Sequence, residues 1–345
     1  MREVRWPEVL TRLLQGEDLD EELAAAVMAR MMAGEAEPAH VAGLLVALRA
    51  KGESASEIAG FVRAMLDAAE PLELDVEVVD TCGTGGDGAG TFNISTVAAL
   101  VVAAAGQPVA KHGNRAASGT CGSADLLEAF GVVIDLPPAG VATTIAELGI
   151  GFLYARSFHP AMRHVAPVRQ QLGVRTVFNV LGPLSNPAGA RHQVVGVADA
   201  RLAGVMAEAL SALGKRHALV FRGHDGLDEL TTTGPSDVWE VRDGHVSSWR
   251  LEPTELGIPT AGLADLQGGG VDTNVRIAEE VLSGRPGPHA DIVALNAAAA
   301  LYAGDHVPTL ADGLRAARAV LDDGAALRLR DAWVARSREL AGGGR

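Results

Sequence analysis

Lysine is almost missing from this chain: Lys51, Lys111 and Lys215 are the only three in 345 residues. Arginine carries the positive charge instead, a bias that codon usage or thermal adaptation explains. It makes Lys111, inside a glycine-rich loop, stand out. Cysteine is nearly as scarce, with only Cys82 and Cys121, both in glycine loops. The opening Met1-Arg2-Glu3-Val4-Arg5-Trp6 has no signal-peptide core, and no His/Cys cluster surrounds either thiol. A disulfide and a zinc site are therefore not expected, and both cysteines read as small loop residues in a cytoplasmic protein. Aromatics make up 4% of the chain, so Ala, Val, Leu and Gly must fill the core through tight helix-on-sheet packing. No apolar run is long enough to span a membrane. A positive balance is absent too: the net charge of −14 argues against nucleic acid as the main partner. An anionic ligand would need a local positive pocket set against that field.

With 48% hydrophobic residues the chain can bury a sizeable core, and its length allows two domains. Residues from Pro7 to Glu70 carry helical spacing, as in Leu23, Ala26, Val27, Met31 and in Val41, Leu44, Leu45, Leu48, with no convincing strand. The pattern then changes. Val76 to Val79 reads as a strand, Thr96 to Ala105 as a helix apolar all round, and Val109-Ala110 as a strand leading into a loop. Ala124 to Phe130 reads as a helix with Ser123 as its N-cap, and Val132 to Ile134 as another strand. Strands are expected at Arg191–Val197 and His217–Phe221 around a helix at Arg201–Leu213. A hairpin is expected over Asp237–Leu251, turning at Asp243-Gly244. Helices follow at Asn274–Leu282, Ile292–Ala303 and Leu310–Leu321. Strand, loop and helix in repetition predict an α/β fold with a mostly parallel central sheet flanked by helices, beside a smaller all-helical domain.

What the chain does have is a pair of glycine-rich loops, each between a strand-like and a helix-like run. The first is Asp80-Thr81-Cys82-Gly83-Thr84-Gly85-Gly86-Asp87, continuing to Asn93-Ile94-Ser95-Thr96. The second is Lys111-His112-Gly113-Asn114-Arg115, continuing through Ser118-Gly119 to Ser123. Such backbones approach a ligand closely, and their free N–H groups attract anions. Two of them in one α/β unit predict a single ligand with two separate phosphate groups.

With Phe158-His159-Pro160-Ala161-Met162, Val168-Arg169 through Phe178-Asn179, Leu181-Gly182-Pro183-Leu184-Ser185-Asn186-Pro187 and Gly226-Leu227-Asp228-Glu229-Leu230, these motifs run in order over most of the chain. Together they resemble the anthranilate phosphoribosyltransferases, which share a fold family with the pyrimidine nucleoside phosphorylases. The resemblance implies a reaction: anthranilate attacks C1 of phosphoribosyl pyrophosphate, pyrophosphate leaves, and N-(5-phosphoribosyl)anthranilate forms in tryptophan biosynthesis. It implies Mg²⁺ as cofactor and a homodimer formed through the helical domains. It also implies a discontinuous helical domain, residues 1–70 plus about 166–188, against an α/β domain of 71–165 plus 189–345.

The resemblance also implies roles. Gly83, Gly86, Asp87, Thr91, Asn93, Ile94, Ser95 and Thr96 would hold pyrophosphate and ribose. Lys111, His112, Gly113, Asn114, Ser118, Gly119 and Ser123 would complete the phosphoribosyl pyrophosphate site. Gly83, Asn114, His159 and Arg169 would face anthranilate, and Ser95, Asp228 and Glu229 would hold the metal. No protein nucleophile or base is needed, because the aromatic amine is already free at neutral pH; catalysis reduces to positioning and electrostatics. Each role has a plainer alternative: a helix cap for Ser95-Thr96, a turn for Asp87, a solvated Lys111 and a solvated acidic turn at Asp228-Glu229. The alternative for Arg169 is a structural salt bridge, and His159 could equally cap the turn before Pro160. Arg175 and Asn179 read as structural. The chain departs from the family pattern at Gly119-Thr120-Cys121, where Ser, Lys and Ser are usual, which implies a weaker phosphate field. A nucleoside phosphorylase would not need the two-carboxylate metal site, and a non-catalytic relative would be expected to be basic and to lack the acidic pair or Arg169.

Overall fold

The computed structural model describes residues 2–116 and 121–342. Four helices open the chain: α1 (Trp6–Leu14), α2 (Glu21–Met32), α3 (Pro38–Lys51) and α4 (Ala55–Asp67). Their starts follow from local chemistry. The Asp20 carboxylate accepts from the Leu23 N–H at 2.9 Å, Pro38 enters the first turn of α3, and Ser54 and Glu57 form a reciprocal capping box. Glu57 is fully buried and also accepts from the Leu19 N–H at 3.0 Å and from Lys51 Nζ at 3.1 Å. One carboxylate thus ties three stretches of the bundle together.

The sheet contains β1 (Val79–Gly83), β2 (Val109–Gly113), β3 (Ile150–Tyr154), β4 (His192–Gly196), β5 (His217–Gly223), β6 (Ser236–Arg242) and β7 (His245–Leu251). Its order is β3-β2-β1-β4-β5-β6-β7. The first five strands are parallel and the last two add an antiparallel hairpin through Asp243-Gly244. Crossovers use α5 (Ile94–Ala104), α6 (Ser123–Phe130), α7 (Pro138–Leu148), α8 (Ala155–Phe158), α9 (Ala166–Leu172), α10 (Phe178–Leu184) and α11 (Ala200–Ala212). Then come α12 (Val271–Leu282), α13 (Pro288–Ala303), α14 (Leu310–Asp322) and α15 (Ala325–Gly342). From β1 the chain runs first toward β2 and later returns as β4 on the other side. The carboxyl ends of β1 and β4 therefore form a topological switch point, where open α/β sheets bind ligands.

Alternation along the strands divides the apolar residues between two layers. Val194 and Leu219 join α5 and α13 on one face. Their neighbours Val195 and Val220 join α11, α10 and the N-terminal bundle on the other. Val165, Val168, Phe178 and Leu181 lie in that same cluster as the α2–α4 residues Val27, Leu44 and Ile58. Helix α5 is buried along nearly its whole length, as the wholly apolar sequence after Ser95 and Thr96 requires. No helix among the described residues is long and apolar enough to cross a membrane.

Several expectations need correcting. Val132 to Ile134 is not a strand: the Val133 N–H is satisfied by Ser337 Oγ of α15 at 3.1 Å, so a helix side chain seals this stretch in place of a neighbouring strand. The strand of that region is Ile150–Tyr154, after α7. Strand β1 begins only at Val79 and runs into the glycine loop, and β2 continues through Lys111 and His112 to Gly113. Helix α5 starts at Ile94, ahead of Thr96, and Ser123 is the first residue of α6, with Gly122 in the cap position.

Candidate active site

The site grows from the switch point. Gly83 ends β1 in register with Gly196 at the end of β4. Both are bare because the loop after β5 lies across them. A Cβ on Gly83 would overlap the Asp228 carboxylate, and one on Gly196 would overlap the Asp228 backbone. Asp228 Oδ2 accepts the Gly85 N–H at 2.6 Å, and Glu229 Oε1 accepts the Ser95 N–H at 3.2 Å in the first turn of α5. The loop is shaped from beneath by Asp225, which sequence reasoning missed. Its Oδ1 accepts the Leu227 N–H at 3.1 Å and its Oδ2 accepts the Thr231 and Thr233 hydroxyls, each at 2.6 Å. The Asp225-Gly226 pair carried the signal for such a side-chain-stabilised turn.

Burial pushes both acids upward. For Asp228 the nearby Asp87 adds to the effect, and for Glu229 the charge of Asp228 does. Lys111 opposes this from below. It is buried, and its Nζ donates to the Thr81 carbonyl at 2.6 Å with Thr81 Oγ1 and Ser95 Oγ each at 3.4 Å. Burial lowers the lysine's own pKa while Asp80 holds it up. Two adjoining carboxylates short of positive charge, with the Ser95 hydroxyl beside them, form the hard-oxygen donor set that suits a small divalent cation. Among the described residues no set of three or more His, Cys, Asp or Glu could hold a metal ion alone. A cation here would complete its shell with water and with a ligand's oxygens.

The other candidates surround this point. Gly86 takes a φ of +81°. Asp87 Oδ1 accepts the Ala89 N–H at 3.1 Å, and Thr91 bridges to Gln267. Asn93 donates to the Cys121 carbonyl and accepts from Asn274 Nδ2, both at 2.9 Å, so it fastens the two glycine loops to α12. Asn274 was not foreseen; nothing in a helix start 181 residues away signals that contact. Ile94 and Thr96 are buried in the first turn of α5, where their N–H groups donate to the Phe92 carbonyl at 2.8 Å and the Asn93 carbonyl at 3.1 Å. In the second loop the Asn114 carbonyl accepts from Ser123 Oγ and from the Ala124 N–H, both at 3.2 Å. Ser118 and Gly119 lie outside the described residues.

On the helical side, the rings of His112 in β2 and His159 after α8 sit 5.1 Å apart. Burial lowers both to about 4, so both are neutral near pH 7. His159 Nε2 donates to the Ser185 carbonyl at 2.9 Å, whereas His112 Nε2 is buried without a partner among the described residues. Arg169 of α9 lays its guanidinium 4.9 Å over the Phe178 ring. Burial lowers its pKa, and no described carboxylate pairs with it.

The comparisons cover both halves of this arrangement. Residues 7–69 match the model of the glycosyl transferase family helical bundle domain, and residues 75–327 match that of its a/b domain. A curated anthranilate phosphoribosyltransferase from Roseiflexus castenholzii is 55% identical over 320 residues, covering 92% of this chain and 94% of the relative. The crystal structure of the Thermus thermophilus anthranilate phosphoribosyltransferase is 51% identical, with a TM-score of 0.91 over 96% of this chain and 99% of that one. The Saccharomyces cerevisiae anthranilate phosphoribosyltransferase, solved in complex with phosphoribosyl pyrophosphate and Mg, is 28% identical with a TM-score of 0.88, covering 97% of this chain and 98% of that one.

Proposed function

We propose, from the premise that this chain belongs to the anthranilate phosphoribosyltransferase family, an assignment of its residues to the steps of that reaction. The chain transfers the phosphoribosyl group of 5-phosphoribosyl 1-pyrophosphate to the amine of anthranilate in tryptophan biosynthesis, releasing pyrophosphate, with Mg²⁺ as cofactor. One observation carries the assignment: Asp228 and Glu229 fold over the glycine loop at the switch point and bond to its two sides at 2.6 and 3.2 Å. Loss of anthranilate fluorescence on mixing with phosphoribosyl pyrophosphate, with and without Mg²⁺, tests it. Phosphorolysis of thymidine or uridine with no fluorescence loss would overturn it.

In this reading the backbone of Gly83 and Gly86 meets the pyrophosphate and ribose, with Asp87, Thr91 and Asn93 holding the loop in shape and the buried Ile94 and Thr96 fixing the start of α5 beneath it. Ser95, Asp228 and Glu229 hold Mg²⁺, which when bound neutralises charge on the leaving group. The second loop, through His112, Gly113, Asn114 and Ser123, takes the other phosphate. Lys111 supports both loops from beneath. No group here stands as a nucleophile. The residues fix the two substrates in line, and their dipoles face the charge that develops as the C1–O bond breaks.

Anthranilate enters between Gly83, Asn114, His159 and Arg169. A half-buried guanidinium with no carboxylate of its own is suited to a ligand carboxylate. Arg169→Ala therefore raises the apparent KM for anthranilate at least tenfold, roughly one lost charge-assisted contact, and leaves that for phosphoribosyl pyrophosphate within twofold. Equal rises in both would assign Arg169 a structural role.

The helical unit comprises the N-terminal bundle plus 166–188, and it forms a homodimer. Helices α1 and α3 meet through Leu10 against Gly43, yet leave Leu14 78% and Val46 50% exposed. A covering second copy explains such exposure. Replacing both by Arg gives a monomer by sedimentation equilibrium; a wild-type chain that is already monomeric ends this reading. With both cysteines free, the enzyme works in the cytoplasm.

A further inference from the structure

The linker between α9 and α10 places Arg175 where no sequence pattern announced a role. Its Nη2 donates to the Thr84 carbonyl at 3.1 Å, inside the first glycine loop. Its guanidinium occupies the position that a Cβ on Gly86 would take, so the loop backbone packs directly on the charge. Gly86 is required there twice over, by its φ of +81° and by this contact.

Three other cations near the loop are committed, and Arg169 is assigned to anthranilate. Lys111 is buried beneath it against the Thr81 carbonyl. Arg115 is bound to Asp125 at 3.0 Å and to Glu128 at 2.7 Å. Arg49, across the same cleft from Arg175, pairs with Asp199 at 3.5 Å. Arg175 is exposed, and no described carboxylate pairs with it. Meanwhile the loop itself presents Asp87 next to Asp228 and Glu229. A polyanion settling on such a loop gains from a planar cation with donors to spare, and a guanidinium matches phosphate oxygens in pairs.

We infer that Arg175 is a binding residue for the pyrophosphate half of the substrate, supplied by the helical unit to the loop of the α/β unit. This rests on the reading of that loop as the pyrophosphate cradle. The contact crosses between the two units, so bound pyrophosphate also draws the linker onto the loop.

Titration calorimetry with inorganic pyrophosphate and Mg²⁺, on the full chain without anthranilate, tests the inference. Arg175→Gln keeps an N–H₂ donor for the Thr84 carbonyl but removes the charge, and Arg175→Lys keeps the charge but loses the fork. The expected result is a loss of tenfold or more in pyrophosphate affinity for Arg175→Gln, with a shallower salt dependence, a smaller loss for Arg175→Lys, and an unchanged KM for anthranilate. Wild-type affinity in Arg175→Gln would overturn the inference and leave a loop clasp. A wild-type chain that binds neither pyrophosphate nor phosphoribosyl pyrophosphate would instead overturn the cradle reading, and the inference with it.

Discussion

Replacing Asp228 by Asn and Glu229 by Gln together lowers kcat by about a thousandfold, ~4 kcal/mol of transition-state stabilisation, while making the metal-free protein more stable. The two effects have one cause. Both carboxylates are pushed upward by burial and by neighbouring acids, Asp87 for Asp228 and Asp228 for Glu229. That is the signature of negative charge held where the fold alone would not hold it. The amide oxygens of Asn and Gln can still accept the Gly85 and Ser95 N–H groups, so the loop keeps its shape and loses only its charge. Turnover falls because the leaving pyrophosphate loses its neutralising ion, and the fold relaxes because two adjacent acids no longer repel. Steady-state rates across a Mg²⁺ series, with thermal melts in the presence of a chelator, measure both sides. A double variant that turns over at the wild-type rate removes the metal assignment. One that loses activity but also melts earlier shows that the pair is structural.

The overall architecture could be read from the chain because its signals are local. The run from Thr96 to Ala105, apolar all round from Val97 onward, can only be a buried helix, and the Asp243-Gly244 turn between alternating runs can only be a hairpin. What escaped depends on tertiary context. Helix α15 is rich in arginine, and Ala326, Trp333 and Ser337 are its buried residues. Without that helix Val132 to Ile134 looks like a strand. Its β-branched residues are the same in either case, and the Ser337 hydroxyl that satisfies the Val133 N–H is 204 residues away. Pro138 at the start of α7 and Gly149 at its left-handed end were legible stops that the reading passed over. At the site, the glycine pattern pointed to the loops and the family resemblance to the acids, yet neither told how they interlock. Asn274 and Arg175 act through contacts 181 and 91 residues away, and a single sequence carries no record of those, whereas the bonds of Asp225 are local and its turn was legible in Asp225-Gly226.

Lys111→Met costs the fold about 3–5 kcal/mol, the usual penalty for stranding a buried charge. A solvated lysine reaching for phosphate would cost almost nothing to replace, and Met preserves the apolar stem, so the size of the loss separates the two pictures. The ammonium lies under the first loop, next to Asp80 as well as Glu229. Asp80 is wholly buried; it accepts from the His112 N–H at 3.1 Å and from Gln193 Nε2 at 3.2 Å, and its pKa is raised by burial despite the pull of Lys111. Removing the lysine raises Asp80 further. A carboxyl with a raised folded-state pKa contributes stability that is complete below its unfolded value near 4 and is lost as pH climbs through the folded value. The deficit of Lys111→Met relative to the wild type is therefore greatest at neutral and alkaline pH, and it narrows as pH falls toward the ordinary carboxylate range and Asp80 takes up a proton. Urea midpoints of both proteins between pH 5 and 8 give the curve. Equal midpoints throughout would place Lys111 in solvent. A deficit that does not change with pH would mean that its bond to the Thr81 carbonyl, rather than its charge opposite Asp80, holds the loop.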